Sequence, residues 1–363
     1  MKSRAACQPG GALCVFWSLI FSLPSSISAA TSQFSRTEFH VRTNDGFQIA
    51  VRKIKASNNE GTKKPPIILV HGARVPGIAS FDLPVPGGSL AEDLAKAGFA
   101  AYVMDARGYG GSTRSKAMDQ PPNENRPLSR AYEVVRDILA VVREVRYRNS
   151  ANQVALFGWA TGALWCGMYT SQYPETASHL VLLYGLYGGS TEHPMLGHGS
   201  SGEDPQHPGR FNEQAIGAYS TADAHLLIAR WDASIPEPDK SLWRDPAVAQ
   251  AYQEAALASD PTSSSRQPAS LRAPNGALED SFYQAIGRQL YDGSSIIGSV
   301  LIVRSENDFW SRPQDTETLA GHLNSAKQVS ILTIPQATHF VHLDRAEKGR
   351  ATLLSAVLDY LAK

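Results

Sequence analysis

Continuous apolar runs alternate with helix-period stretches along most of this chain, and that alternation restricts the fold more than any other feature. The run PPIILVHG (65–72) is apolar without a break through Val70, as a strand buried on both faces requires. FAAYVM (99–104), QVALFG (153–158), HLVLLYG (179–185), SVLIVRS (299–305) and QVSILTI (328–334) read as further strands. Between them, residues 130–148 place Ala131, Val134, Val135, Ile138, Val142 and Val145 on one helical face. SLAEDLAKAG (89–98) carries a capping-box pair, Ser89 and Glu92, and stops on Gly98. The terminal stretch puts Leu354, Val357, Leu358 and Leu361 on one face. TEFHVRT and FQIAVRKI flank Asn44-Asp45-Gly46, a strong hairpin turn. Strands separated by helices predict an α/β fold with a mostly parallel sheet covered on both sides. From 187 to 295 the rhythm breaks into loops rich in Pro, Gly, Ser and His around one helical stretch, which predicts a cap inserted between two core strands.

The first thirty residues follow another logic. Lys2 and Arg4 precede the short apolar run ALCVFWSLIFSL, and Ser28 and Ala30 supply the small residues of a cleavage site. This predicts a signal peptide over 1–30, cut after Ala30, and a secreted or periplasmic protein with no membrane attachment afterwards. The organisation expected is then signal 1–30, core 31–186, cap 187–295 and core 296–363. Cys7 and Cys14 leave with the signal, so Cys166 stays alone as a small core residue without a disulfide.

Basic and acidic side chains number 34 each, which argues against nucleic acid or an anionic membrane as a partner. A small-molecule substrate is the partner expected, and the sequence leaves room for a homodimer. His193, His198 and His207 are too loosely spaced to predict a metal site, and nothing calls for a cofactor.

Five short motifs sit where strands end: VHGAR (70–74), DARGYGGS (105–112), GWATG (158–162), RSENDFW (304–310) and ATHFVHLD (337–344). Open α/β sheets place their sites there. In this order the motifs resemble the α/β-hydrolase superfamily, its capped single-domain esterases and lactonases above all, across nearly all of 37–363. The resemblance implies an α/β-hydrolase fold and a carboxylic ester, lactone or related acyl bond as the target. It puts Ala160 in the place of the nucleophile, Asp308 in that of the acid and His339 in that of the histidine. It makes the backbone N–H groups of Ala73 and Thr161 the oxyanion hole, with His71 orienting that loop and Asp105 and Arg107 bracing turns. Arg74 and Trp159 fall near the pocket mouth as substrate-binding candidates. Glu306 is a rival to Asp308, and His342 is expected to be structural.

The departure is the alanine, because a methyl group cannot attack a carbonyl. Three readings follow from it. The chain is a serine hydrolase that has lost its nucleophile, or an Asp–His base that works without one, or a ligand-binding protein that kept the pocket.

Overall fold

A computed structural model describes residues 33–57 and 64–363; the expected signal peptide and its cleavage site lie outside the described residues. The apolar runs become strands, all inner except QVSILTI, which forms the half-exposed edge strand. β3 (Ile67–Val70), β4 (Ala101–Met104) and β5 (Val154–Trp159) are buried at every position. They join β1 (Phe34–Arg42), β2 (Gln48–Ala56), β6 (Ala177–Leu183), and two late strands in one eight-stranded sheet. The late strands are β9 (Ser299–Asn307) and β10 (Gln328–Thr338), and the order is β1-β2-β4-β3-β5-β6-β9-β10. Only β2 runs against its neighbours; every pair from β4 to β10 is parallel. Between β6 and β9 lie β7 (Tyr219–Asp223) and β8 (Ser270–Pro274), which form a separate antiparallel pair.

Helices fill the connections. Residues Ala131–Asn149 bury the apolar face read from the sequence, along with Val141 and Asp137. The helix Thr161–Gln172 is buried almost all round, Cys166 included. Two expectations shift. Ser89 accepts from the Glu92 N–H at 3.0 Å, but the Glu92 carboxylate turns to Arg36 at 2.6 Å, so only half of the capping box forms. The terminal helix Arg350–Leu361 buries Leu353 and Tyr360 more fully than Leu354 and Leu358. Its rotation follows Tyr360, whose hydroxyl accepts from the Leu180 N–H of β6 at 3.3 Å.

The segment between β6 and β9 carries the helices Ala224–Ser234, Pro246–Ala258 and Gly276–Ala285. Asp223 and Asp245 cap the first two through the N–H groups of Leu226 and Ala247. Its root is pinned by one carboxylate. Asp315 Oδ1 accepts from the N–H groups of Tyr187, Gly188 and Gly189 at 2.9–3.0 Å. Arg312 grips Asp315 and donates to the carbonyls of Ser190, Glu192, Gln284 and Ala285. Burial opposes the charge on Asp315, yet Arg312 holds its carboxyl below the usual carboxylate range.

Candidate active site

β5 delivers the chain into a turn that ordinary backbone avoids. Ala160 has φ 52° and ψ −114°, and Thr161 begins the helix immediately after it. A side chain at positive φ costs on the order of 1–3 kcal/mol and persists only where its surroundings dictate it. The surroundings are two glycines. A Cβ on Gly158 would lie 2.3 Å from the Gly162 carbonyl oxygen, and one on Gly162 would lie 2.2 Å from that of Val70. The Ala160 N–H is tied to the Leu183 carbonyl at 2.7 Å, and the methyl group faces a cavity.

Asp308 and His339 meet beside this turn although 31 residues separate them. His339 Nδ1 donates to Asp308 Oδ1 at 2.6 Å. Asp308 also accepts from the N–H groups of Trp310 (3.0 Å) and Ser311 (2.8 Å) and from the Ser311 hydroxyl. Those donors fix the carboxylate, which is fully buried. The His339 ring is held among Tyr184, Phe309 and Trp159, with centroids 5.1, 4.5 and 5.4 Å away. With Nδ1 engaged, Nε2 is the nitrogen left for the cavity. Glu306, the rival acid, is exposed and accepts from the Gln336 N–H instead.

The loop after β3 closes the other side. The Ala106 N–H donates to His71 Nε2 at 3.0 Å, so the proton sits on Nδ1, which donates to the Gly72 carbonyl at 2.6 Å. Burial pushes the His71 pKa down and keeps the ring neutral. The Tyr109 hydroxyl holds the Ala73 carbonyl at 2.6 Å. Thr161 opens a helix, where an N–H has no acceptor a turn earlier. Among the described residues, neither the Ala73 nor the Thr161 N–H donates a hydrogen bond. The Thr161 hydroxyl is also buried and unpartnered. Asp105 and Arg107 brace turns, Asp105 through the N–H groups of Gly77 and Gly111, Arg107 through Asp137 and Asp45.

Ala73, Arg74, Trp159, Ala160, Thr161 and His339 all line one cavity of about 200 Å³. Trp159 is mostly buried, and its indole N–H is spent on the His339 carbonyl at 3.1 Å. It therefore positions the histidine loop as well as forming wall. Arg74 is exposed at the mouth and donates to the Leu226 carbonyl. Sequence reasoning missed Tyr184 and Ser311, which hold His339 and Asp308, and Arg230 and Tyr252, which reach the cavity from the insertion. Ser311 lay one residue beyond a quoted motif; Arg230 and Tyr252 carry no local signal.

The remaining candidates stand apart from the cavity chemistry. His342 is buried against Trp159 and Phe81, and burial drives its pKa far down. Burial likewise pushes the Cys166 thiol up, away from reactivity. His193 binds the Trp310 carbonyl, His198 pairs with Glu203 and His207 with Asp204, so the three histidines serve three different partners. Among the described residues no helix is long and apolar enough to cross a membrane.

Residues 65–346 match the family model of the alpha/beta hydrolase fold. The chain is similar to human lipase member M, 25% identical over 152 residues, which cover 41% of this chain and 36% of that protein. The chain thus matches about a third of that relative's length. An esterase from Exiguobacterium antarcticum superposes with a TM-score of 0.54 at 13% identity, covering 90% of this chain and 100% of the other. An esterase from Rhodococcus sp. ECU1013 gives 0.54 at 15% identity, covering 90% and 98%. At those identities the structural likeness speaks for the fold. The matched span runs from the first inner strand through the histidine loop, and the chain belongs to the alpha/beta hydrolase fold family.

Proposed function

We propose that this protein carries the acyl-cleaving site of an exported esterase-type hydrolase, and that with Ala160 it holds its substrate without forming an acyl-enzyme. The observation that carries the reading is the Asp308–His339 pair at 2.6 Å, set beside a strained Ala160 and two undonated N–H groups. A hydroxyl on residue 160 would belong to the cavity that His339 also lines. His339 Nε2 would take its proton, Asp308 would hold the imidazolium, and the N–H groups of Ala73 and Thr161 would receive the oxyanion. The insertion serves as the cap. No part of this arrangement calls for a metal or an organic cofactor.

Ala160→Ser tests it. Removing the serine of a serine protease costs on the order of 10⁶ in kcat. The reverse change is expected to raise hydrolysis of short p-nitrophenyl esters by at least about 10³ and to let a fluorophosphonate label residue 160. A folded serine form that neither hydrolyses nor labels would end the reading.

A second reading is favoured by the buried, unpartnered Thr161 hydroxyl, whose residue lines the same cavity as His339. There the Asp308–His339 pair acts as a base on water or on the substrate itself. Turnover by the Ala160 form, abolished by His339→Ala, would select that reading.

A further inference from the structure

The charges around the cavity are one-sided. No aspartate or glutamate lines it, yet two arginines do, Arg74 from the loop after β3 and Arg230 from the helix Ala224–Ser234. Elsewhere, well-buried guanidiniums have carboxylate partners: Arg107 with Asp137, Arg272 with Asp260, Arg312 with Asp315. Arg74 and Arg230 are exposed and have no carboxylate partner among the described residues; the Arg230 guanidinium lies 5.6 Å from the Phe309 ring centroid. Arg74 donates one bond to the Leu226 carbonyl, and Arg230 reaches the Met195 sulfur at 3.0 Å. A guanidinium has five donors, so most of theirs stay open. Burial pushes the Arg230 pKa down, and the nearby Arg74 charge pushes it further. Two like charges facing one mouth repel each other unless an anion sits between them. Tyr252 lines the same cavity, its hydroxyl donates to no group among the described residues, and burial keeps it protonated. Leu227, Leu278 and Phe340 give the same cavity apolar wall, beside the polar Ser220 and Asn275.

We propose that Arg74 and Arg230 bind a carboxylate on the substrate, so that the site takes acyl compounds with an anionic group at the end remote from the scissile bond. The two planar forks suit a carboxylate, which accepts bidentate pairs. The apolar wall covers the carbon chain between the two ends. This rests on the acyl-cleaving reading for the position of the reacting bond, but binding of the anion does not depend on chemistry at residue 160.

The test uses monoethyl esters of the linear C4–C8 dicarboxylic acids against the matching neutral diethyl esters. Binding to the Ala160 protein is followed by calorimetry. At least one half-ester is expected to bind about 10-fold more tightly than its diester, an advantage that shrinks as salt is added. Arg74→Gln/Arg230→Gln should erase the preference, while lysine at both positions should restore part of it. Equal affinity, absence of half-ester binding across the series, or a preference that survives the double variant would overturn the proposal. Hydrolysis by the Ala160→Ser form separates the two readings. Diester hydrolysis without anion preference sinks the carboxylate site alone. Anion preference with an inert serine form sinks the acyl-cleaving reading alone.

Discussion

At the floor of the cavity the backbone has no slack, whereas the roof mixes backbone just as tight, at Gly217 and Gly276, with loops that have room. The floor is the turn at Ala160, where a Cβ on Gly162 would run into the carbonyl oxygens of Val70 (2.2 Å) and His71 (2.6 Å). Both obstacles are backbone of β3 and the residue after it, and they cannot swing aside. The roof rests on Trp231, Arg312 and capping aspartates. Its Gly199, at φ 73°, has open space around it. The difference teaches where each property of the site resides. The turn at Ala160 is fixed by the sheet, and the loop around Gly199 is open to exchange.

The comparison is broken most sharply by chemistry at the floor. In the Ala160→Ser form, His339→Ala should lower kcat by about 10⁴ or more, because base and acid are lost together. Asp308→Asn should cost about 10³–10⁴ by removing the acceptor that fixes the His339 tautomer. A smaller loss, below about 10-fold, would mean that the floor does not work as a unit.

Stability draws the same line. Gly162→Ala is expected to cost at least about 3 kcal/mol, since the new Cβ meets rigid backbone. Gly199→Ala should cost only about 1–2 kcal/mol, the left-handed φ being the sole penalty. Urea unfolding measures both. Equal losses would erase the distinction between floor and roof.

One buried carboxyl joins the two regions. Asp344 accepts from the Trp231 indole of the roof at 2.7 Å and from the Thr338 hydroxyl beside the histidine loop at 2.7 Å. Burial outweighs these donors and pushes its pKa up to about 7. An acid whose folded pKa lies above its unfolded value favours the fold most at low pH. Its contribution is full below about pH 4 and falls away as the pH rises to about 7. The slope is worth up to a few kcal/mol in total. Asp344→Asn should flatten the pH dependence of stability over that window relative to the parent chain. An unchanged slope would show that the joint is already ionised at pH 4.

Much of the floor was legible in the sequence because its constraints are local. Gly158 and Gly162 bracket the turn, and Asp308 and His339 come just past the ends of the last two strands. The choice of Asp308 over Glu306 agrees with the geometry, since the shorter acid sits past the strand end while Glu306 remains at its exposed edge. Where a residue answers to a distant partner, local pattern misleads. Glu92 leaves its capping box for Arg36, 56 residues away. The terminal helix turns to seat Tyr360 on β6. Arg230 and Tyr252 reach the cavity only because the insertion folds back, and no spacing in the chain announces that. The strain at Ala160 was legible only as a motif; its φ of 52° needed the structure.

The smallest effect is expected where the roof is most exposed. His198 lies in the loop after β6, more than half exposed, with Nδ1 2.8 Å from Glu203. Glu203 does the local work. It accepts from the N–H groups of Gly199 and Gly209, and those bonds, more than His198, hold its carboxyl down at a pKa of about 2. Removing the imidazole leaves both backbone bonds in place. His198→Ala should therefore change stability by no more than about 0.5 kcal/mol. In the Ala160→Ser background it should leave ester hydrolysis unaltered, because His198 lines no part of the cavity. A loss above about 1 kcal/mol would mean that the roof's loops are as tightly determined as the turn at Ala160, and the division between rigid floor and exchangeable roof would fail at its most permissive point.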